Sequence, residues 1–283
     1  MKELTKGEME PLKKLEIAIF CMLLISMLSL VGTVAAPNAD FTHTTYLSDT
    51  EPTVDGTYAE GDEWIASAPE AFGTNGVFRD TWSMGDVVKA NLLIETADGT
   101  DDPGDYWVVC FDSTEDGGAT EPDGGSAPKT NDYKFVVTGH GGAATVQWYK
   151  GTGSGWTEIA TPAVEVFAQA QSLTPYTPKI GTPHYVLEVS IDKTDTSLGT
   201  VIMGYNWGQY VAYYDATSDT TQQWPPAASP DNPDSWGYIV YEFGANPTPD
   251  VPEGIGIVAL LLTSSVAASG IVLLRKKQRI AHL

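Results

Sequence analysis

From residue 40 to residue 245 the chain keeps breaking into short runs of β-branched and aromatic residues, each stopped by Gly, Pro, Asn or Asp, and almost nothing in it repeats with a helical period. Strands place apolar residues at every second position and helices at every third or fourth, so this punctuation confines the chain to sheets joined by turns. Ten runs read as strands: Val87 to Thr96, Tyr106 to Phe111, Tyr133 to Thr138, Ala144 to Lys150, Trp156 to Ile159, Val164 to Ala170, His184 to Ile191, Val201 to Tyr205, Gln209 to Tyr214 and Trp236 to Phe243. That many strands with turn-rich links make a sandwich or a barrel. In one of them Tyr185, Leu187, Val189 and Ile191 alternate with His184, Glu188 and Ser190, the pattern of a strand with one wet face. A short helix is expected at Asp192 to Leu198.

The two ends of the chain set where this β domain operates. Ile255 to Leu274 carries no charge and is followed at once by Arg275, Lys276, Lys277 and Arg279. As a helix it covers about 30 Å, the thickness of a bilayer's hydrocarbon core, and the positive residues beyond it favour the cytoplasmic side. Lys13 and Lys14 precede an apolar run from Ile17 to Val31 and then Gly32, Thr33, Val34, Ala35 and Ala36, the order of a secretory signal peptide. The sequence therefore divides into a signal peptide at 1–36, one domain at 37–244, a Pro-rich stalk at 245–254, a transmembrane helix at 255–274 and a basic cytoplasmic tail at 275–283. A single-pass cell-membrane protein with its N-terminal domain outside the cell is the expectation.

Composition narrows the partners. Residues 37–254 hold seven basic residues against 33 acidic ones, a net charge of −26. Affinity for polyphosphate comes from cationic contacts, so nucleic acid and anionic lipid headgroups are poor partners, whereas metal cations and neutral polymers fit. Cys110 alone lies in the exported domain, in the strand-like run Tyr106 to Phe111, so no disulfide braces the fold and the thiol reads as a small buried hydrophobe.

The stretch Glu51 to Trp64 (EPTVDGTYAEGDEW), the run Tyr106 to Asp112 leading through a Gly/Asp loop to Asn131 to Phe135, and the later Tyr185 to Asp192 resemble the family 9 carbohydrate-binding module and its DOMON-like relatives over most of residues 45 to 243. The resemblance implies an antiparallel, jelly-roll-like β-sandwich that binds its ligand without cleaving it: sugar in some members, haem in others, with structural calcium in several. Pro249 to Glu253, the apolar segment and the Arg275 to Arg279 cluster are in turn similar to the C-terminal sorting signals of prokaryotic, especially archaeal, surface proteins, except that Gly254 stands where those signals often carry Phe.

Asp112 to Asp123 lines up with a twelve-residue calcium loop: Asp112 first, Thr114 third, Asp116 fifth, Gly117 at the turn, the Gly118 carbonyl seventh and Asp123 last. Hard oxygen donors at alternate positions are what calcium requires. In the resembling family the strand after this loop returns beside the strand before it, which would bring Asp132 to the same ion. A second acidic group, Asp98, Asp101, Asp102 and Asp105, has Pro103 where a loop glycine would fall and reads as an exposed turn.

Trp148, Tyr149, Trp156, Trp207, Tyr210, Tyr213, Tyr214 and Trp224 crowd the later half of the domain, and flat rings suit the apolar faces of sugars. Trp207 and Trp224 sit in turn-like contexts and Trp156 follows a glycine-rich loop, so these three, with Tyr210, are the expected ligand contacts. Neither a nucleophile with a base nor a distinguishable carboxylate pair supports catalysis, and His140, in Gly139-His-Gly-Gly142, reads as a surface turn. A haem reading would need Met84 or Met203 with His140 or a Lys. The expected partners are a glycan or neighbouring envelope proteins, with the membrane reached through the C-terminal helix.

Overall fold

The computed structural model describes residues 38–58, 63–64, 67–120, 126–195, 198 and 206–243. The signal peptide, stalk, membrane span and basic tail expected from the sequence lie outside them, as do Asp123, Met203 and the run 201–205. No helix among the described residues is long and apolar enough to cross a membrane.

The described chain is all-β. Its strands are β1 (Thr42–Leu47), β2 (Pro69–Phe72), β3 (Gly76–Met84), β4 (Val88–Thr96), β5 (Tyr106–Asp112), β6 (Ala119–Thr120), β7 (Ser126–Ala127), β8 (Asp132–Thr138), β9 (Thr145–Gly151), β10 (Trp156–Ile159), β11 (Phe167–Thr174), β12 (His184–Asp192), β13 (Trp207–Asp215), β14 (Thr220–Trp224) and β15 (Gly237–Glu242). Thirteen of them form one sheet in the order β10-β9-β8-β5-β13-β15-β1-β3-β4-β12-β11, with β14 added to β13 and β2 to β3, while β6 and β7 pair separately. The sheet is mixed rather than purely antiparallel, because β1 runs parallel to both of its neighbours, β15 and β3. Where a helix was expected at Asp192 to Leu198, Asp192 ends β12, Lys193 and Thr194 form a turn and Leu198 lies in a 3-10 turn, with residues 196 and 197 outside the described residues.

The sheet curls until its ends meet. Phe135 on β8 and Trp148 on β9 touch Phe167 on β11, with ring centroids 5.2 and 4.8 Å apart. Inner positions at period two, among them Phe78 and Trp82 on β3, Leu92 and Ile94 on β4, Trp107, Val109 and Phe111 on β5 and Leu187 and Val189 on β12, close one continuous core. Each ring of this size buried in full contributes about 2–3 kcal/mol of hydrophobic stabilisation, which explains how the domain does without a disulfide.

Both outer faces are partly roofed. Residues 225–236 lie over Val108, Cys110, Tyr210 and Ala212 and add Ala228 and Trp236 to a second cluster. On the opposite side Trp64 and Tyr58 pack on Leu93 and Val186. This second roof overturns the wet face expected of β12, since His184 and Glu188 are fully buried and Ser190 nearly so. Glu188 holds the roof in place: its carboxylate accepts the backbone N–H groups of Asp55 (3.0 Å) and Gly56 (2.7 Å) and the Trp64 indole N–H (3.0 Å). Beside it Glu95 meets Arg79 Nε at 3.5 Å, His184 Nε2 at 3.5 Å and the Thr177 hydroxyl.

Candidate metal centres and aromatic face

The register of β5 and β8 sets Asp112 directly opposite Asp132. Both are fully buried. Asp112 accepts the Thr114 and Gly117 N–H groups at 3.0 and 2.8 Å, the usual way an Asp side chain closes a turn. Asp132 Oδ2 accepts the Lys129 N–H at 2.6 Å, but Oδ1 is buried with no hydrogen-bond partner. Burial, and then the facing Asp112, push the Asp132 carboxyl up to about 8, and burial raises Asp112 as well. Two carboxyls held together out of water favour either a shared proton or a cation.

The rest of the expected loop is arranged differently. Asp116 turns to Lys129 Nζ at 3.2 Å and to Asn131 Nδ2 at 3.0 Å, and the Thr114 hydroxyl donates to Asp116 at 3.0 Å. The Gly118 N–H donates to Asp234 at 2.8 Å. The structure thus brings Asp112 and Asp132 together and turns Asp116 toward Lys129 and Asn131.

A second cluster forms where the sequence pointed to exposed turns. His140, just after β8, is buried, and so is Asp105, just before β5; Asp98 after β4 is half-buried. His140 Nε2 lies 3.0 Å from Asp105 Oδ2, and ligand atoms of Asp98, Asp105 and His140 all fall within 4.8 Å of one another. The sequence hides this group because 35 residues separate Asp105 from His140 and the pairing of Tyr106 with Thr138 is what brings them together.

Of the four rings expected to touch ligand, three are buried. Trp207 and Tyr210 are buried in β13, Trp207 against Phe111 and Tyr210 beneath the 225–236 roof. Trp224 is buried on Gly237 and edge-on to Phe78, 5.0 Å away. Strand pairing overrode the turn-like context, since Trp207 begins β13 and Trp224 ends β14. Trp156 remains half-exposed, its indole N–H donating to Asp231 at 2.8 Å. It shares an outer face with Tyr149, the two rings lying 4.6 and 4.9 Å from Lys134 Nζ. Farther along the same face the half-exposed Tyr106 and Tyr214 stack at 4.9 Å.

The haem pair is not assembled by Met84 and His140. Met84 ends β3, whereas His140 is grouped with Asp98, beyond the end of β4 that pairs with the start of β3, so they lie at opposite ends of these strands. The sequence reading also missed Lys193, buried over the rings of Tyr241 (3.6 Å) and Trp207 (4.7 Å) and pushed down to about 7 by that burial.

No protein-family model matches this chain, and no curated protein matches it either.

Proposed function

We propose that this chain is a non-catalytic binding module displayed at the cell surface, a β-sandwich made by the two halves of the curled sheet, which recognises carbohydrate on the outer face of β5, β8, β9, β10 and β13. The observation that carries the reading is the row of half-exposed rings Trp156, Tyr149, Tyr106 and Tyr214 on that face, with Gln147 and Thr138 between them. Rings supply apolar contact area and the amide and hydroxyl groups supply hydrogen bonds, the mixture that sugar recognition uses. The net charge of −26 over residues 37–254 directs the module toward neutral polymers rather than polyanions. Calcium belongs to this reading as a brace: Asp112 and Asp132 hold it, with Thr114 and Asp116 completing the oxygen set, and it fixes the loop between β5 and β8. The signal peptide and the C-terminal helix read from the sequence would hold the module outside a membrane.

Affinity electrophoresis of the full chain in gels cast with neutral polysaccharides tests this. Retardation by at least one polymer, reduced by Tyr149→Ala and Trp156→Ala, is the expected result. Unchanged mobility of folded protein in every polymer overturns it, and concentration-dependent self-association in the same samples would favour an envelope-building role instead.

A further inference from the structure

We propose that Asp98, Asp105 and His140 form a binding site for a divalent transition-metal ion of the zinc or cobalt kind, separate from the Asp112–Asp132 pair and independent of sugar recognition.

Geometry is the first argument. Three ligand atoms no more than 4.8 Å apart share a centre about 2.8 Å or less from each, so a small inward movement reaches the roughly 2.0–2.2 Å of zinc–nitrogen and zinc–oxygen bonds. The frame that carries them is well tied. The Gly139 N–H donates to the Asp105 carbonyl at 2.8 Å, joining the segments before β5 and after β8, and the Tyr185 N–H donates to the Asp98 carbonyl at 3.0 Å, joining β12 to the end of β4.

Charge is the second. Asp105 is fully buried, and among the described residues neither it nor Asp98 is paired with Lys or Arg. Asp101 and Asp102 share the loop and add further negative charge. A buried carboxylate is stabilised by a compensating cation; among the described residues His140 is the basic side chain set against Asp105, and a dication would balance both carboxylates.

The histidine supplies the third. His140 is buried, stacked on Tyr185 at 4.0 Å and 12° and edge-on to Trp107 at 4.7 Å, so its plane is fixed. Its Nδ1 is buried without any hydrogen-bond partner among the described residues, which leaves Nε2, facing Asp105, as the ring's one polar contact. The carboxylates are steadied from behind: the Tyr213 hydroxyl donates to Asp98 Oδ2 at 2.6 Å and the Ala216 N–H to Asp105 Oδ1 at 2.8 Å, as outer groups do around metal ligands. One imidazole with two carboxylates suits zinc-like ions, whereas calcium takes oxygen alone.

Titration of the metal-free full-length chain with Co2+, followed by visible absorption, tests the assignment. One equivalent is expected to bind with ligand-field bands that zinc bleaches and millimolar calcium leaves intact. His140→Ala and Asp105→Asn should abolish the bands, and Asp132→Asn should keep them. If either of the first two variants fails to fold, Asp98→Asn, at the half-exposed corner, takes its place and should weaken Co2+ binding at least tenfold. Folded wild-type chain without bands, bands that survive in folded His140→Ala, or a Co2+ affinity of folded Asp98→Asn within tenfold of wild type, overturns the proposal.

Discussion

Trp148 meets Phe167 edge to face, ring centroids 4.8 Å apart and planes at 79°, although their strands lie at opposite ends of the sheet order. This contact closes the curl. Removing either ring opens a cavity where the sheet's ends touch, so Trp148→Ala and Phe167→Ala should each cost about 3–5 kcal/mol in urea unfolding. The double variant should cost less than the sum, because the rings share a contact. Strict additivity would mean that the ends are held together elsewhere.

Trp207→Ala and Trp224→Ala should behave as core truncations, each lowering stability by about 3–5 kcal/mol, while any sugar affinity per folded molecule stays unchanged. Tyr149→Ala and Trp156→Ala should do the reverse, with stability within about 1 kcal/mol of wild type and retardation in polysaccharide gels lost. Paired unfolding and mobility measurements on the four variants decide between the inner and outer faces.

The Asp112–Asp132 pair predicts a response to metal. Chelation should lower the melting temperature of the wild type, and calcium should restore it. In Asp132→Asn the facing charges are gone, so the metal-free variant should melt above metal-free wild type and calcium should do nothing for it. Scanning calorimetry with and without chelator checks both halves.

Burial pushes the Glu188 carboxyl up to about 7, against the three N–H groups that favour its ionised form. A carboxyl raised on folding binds its proton more tightly in the folded state, so its contribution to stability is whole below about 4.5 and fades as pH climbs through about 7. Relative to Glu188→Gln, which cannot ionise, the wild type should lose up to about 3 kcal/mol between pH 5 and pH 8. Parallel urea titrations at the two pH values measure the difference; a constant gap would contradict it.

Regular alternation made much of this fold readable. β5, β8, β9, β10, β12, β13 and β15 fall within a residue or two of the runs marked by β-branched and aromatic residues, because each has a clear inner face. β3 escaped because Arg79, Asp80 and Thr81 interrupt its pattern, yet all three are buried, the first among them facing Glu95 and the second accepting a hydrogen bond from Gln209 at 3.1 Å. β1 and β14 are rich in Thr and Gln and gain their strand character from the neighbours they pair with. The sites were less readable for the same reason. Asp112 heads a loop that could be matched by spacing and Asp132 followed from the strand return that the resemblance implies, whereas Asp98, Asp105 and His140 meet only through strand register. Turn-borne tryptophans looked exposed because a local sequence says nothing about the sheet that will cover it.

The seam formed by β1 has a bearing on assembly. In the sheet order it alone joins the half that ends in β15 to the half that starts with β3, and it holds β3 through two residue pairs, Tyr46 with Thr81 and Leu47 with Trp82. Its main partner, β15, is made about 190 residues later, so this long-range zipper cannot close until Glu242 has emerged from the ribosome. Among the described strands the last to be synthesised pairs with the first, so the join between the two half-sheets waits on nearly the whole of the described chain.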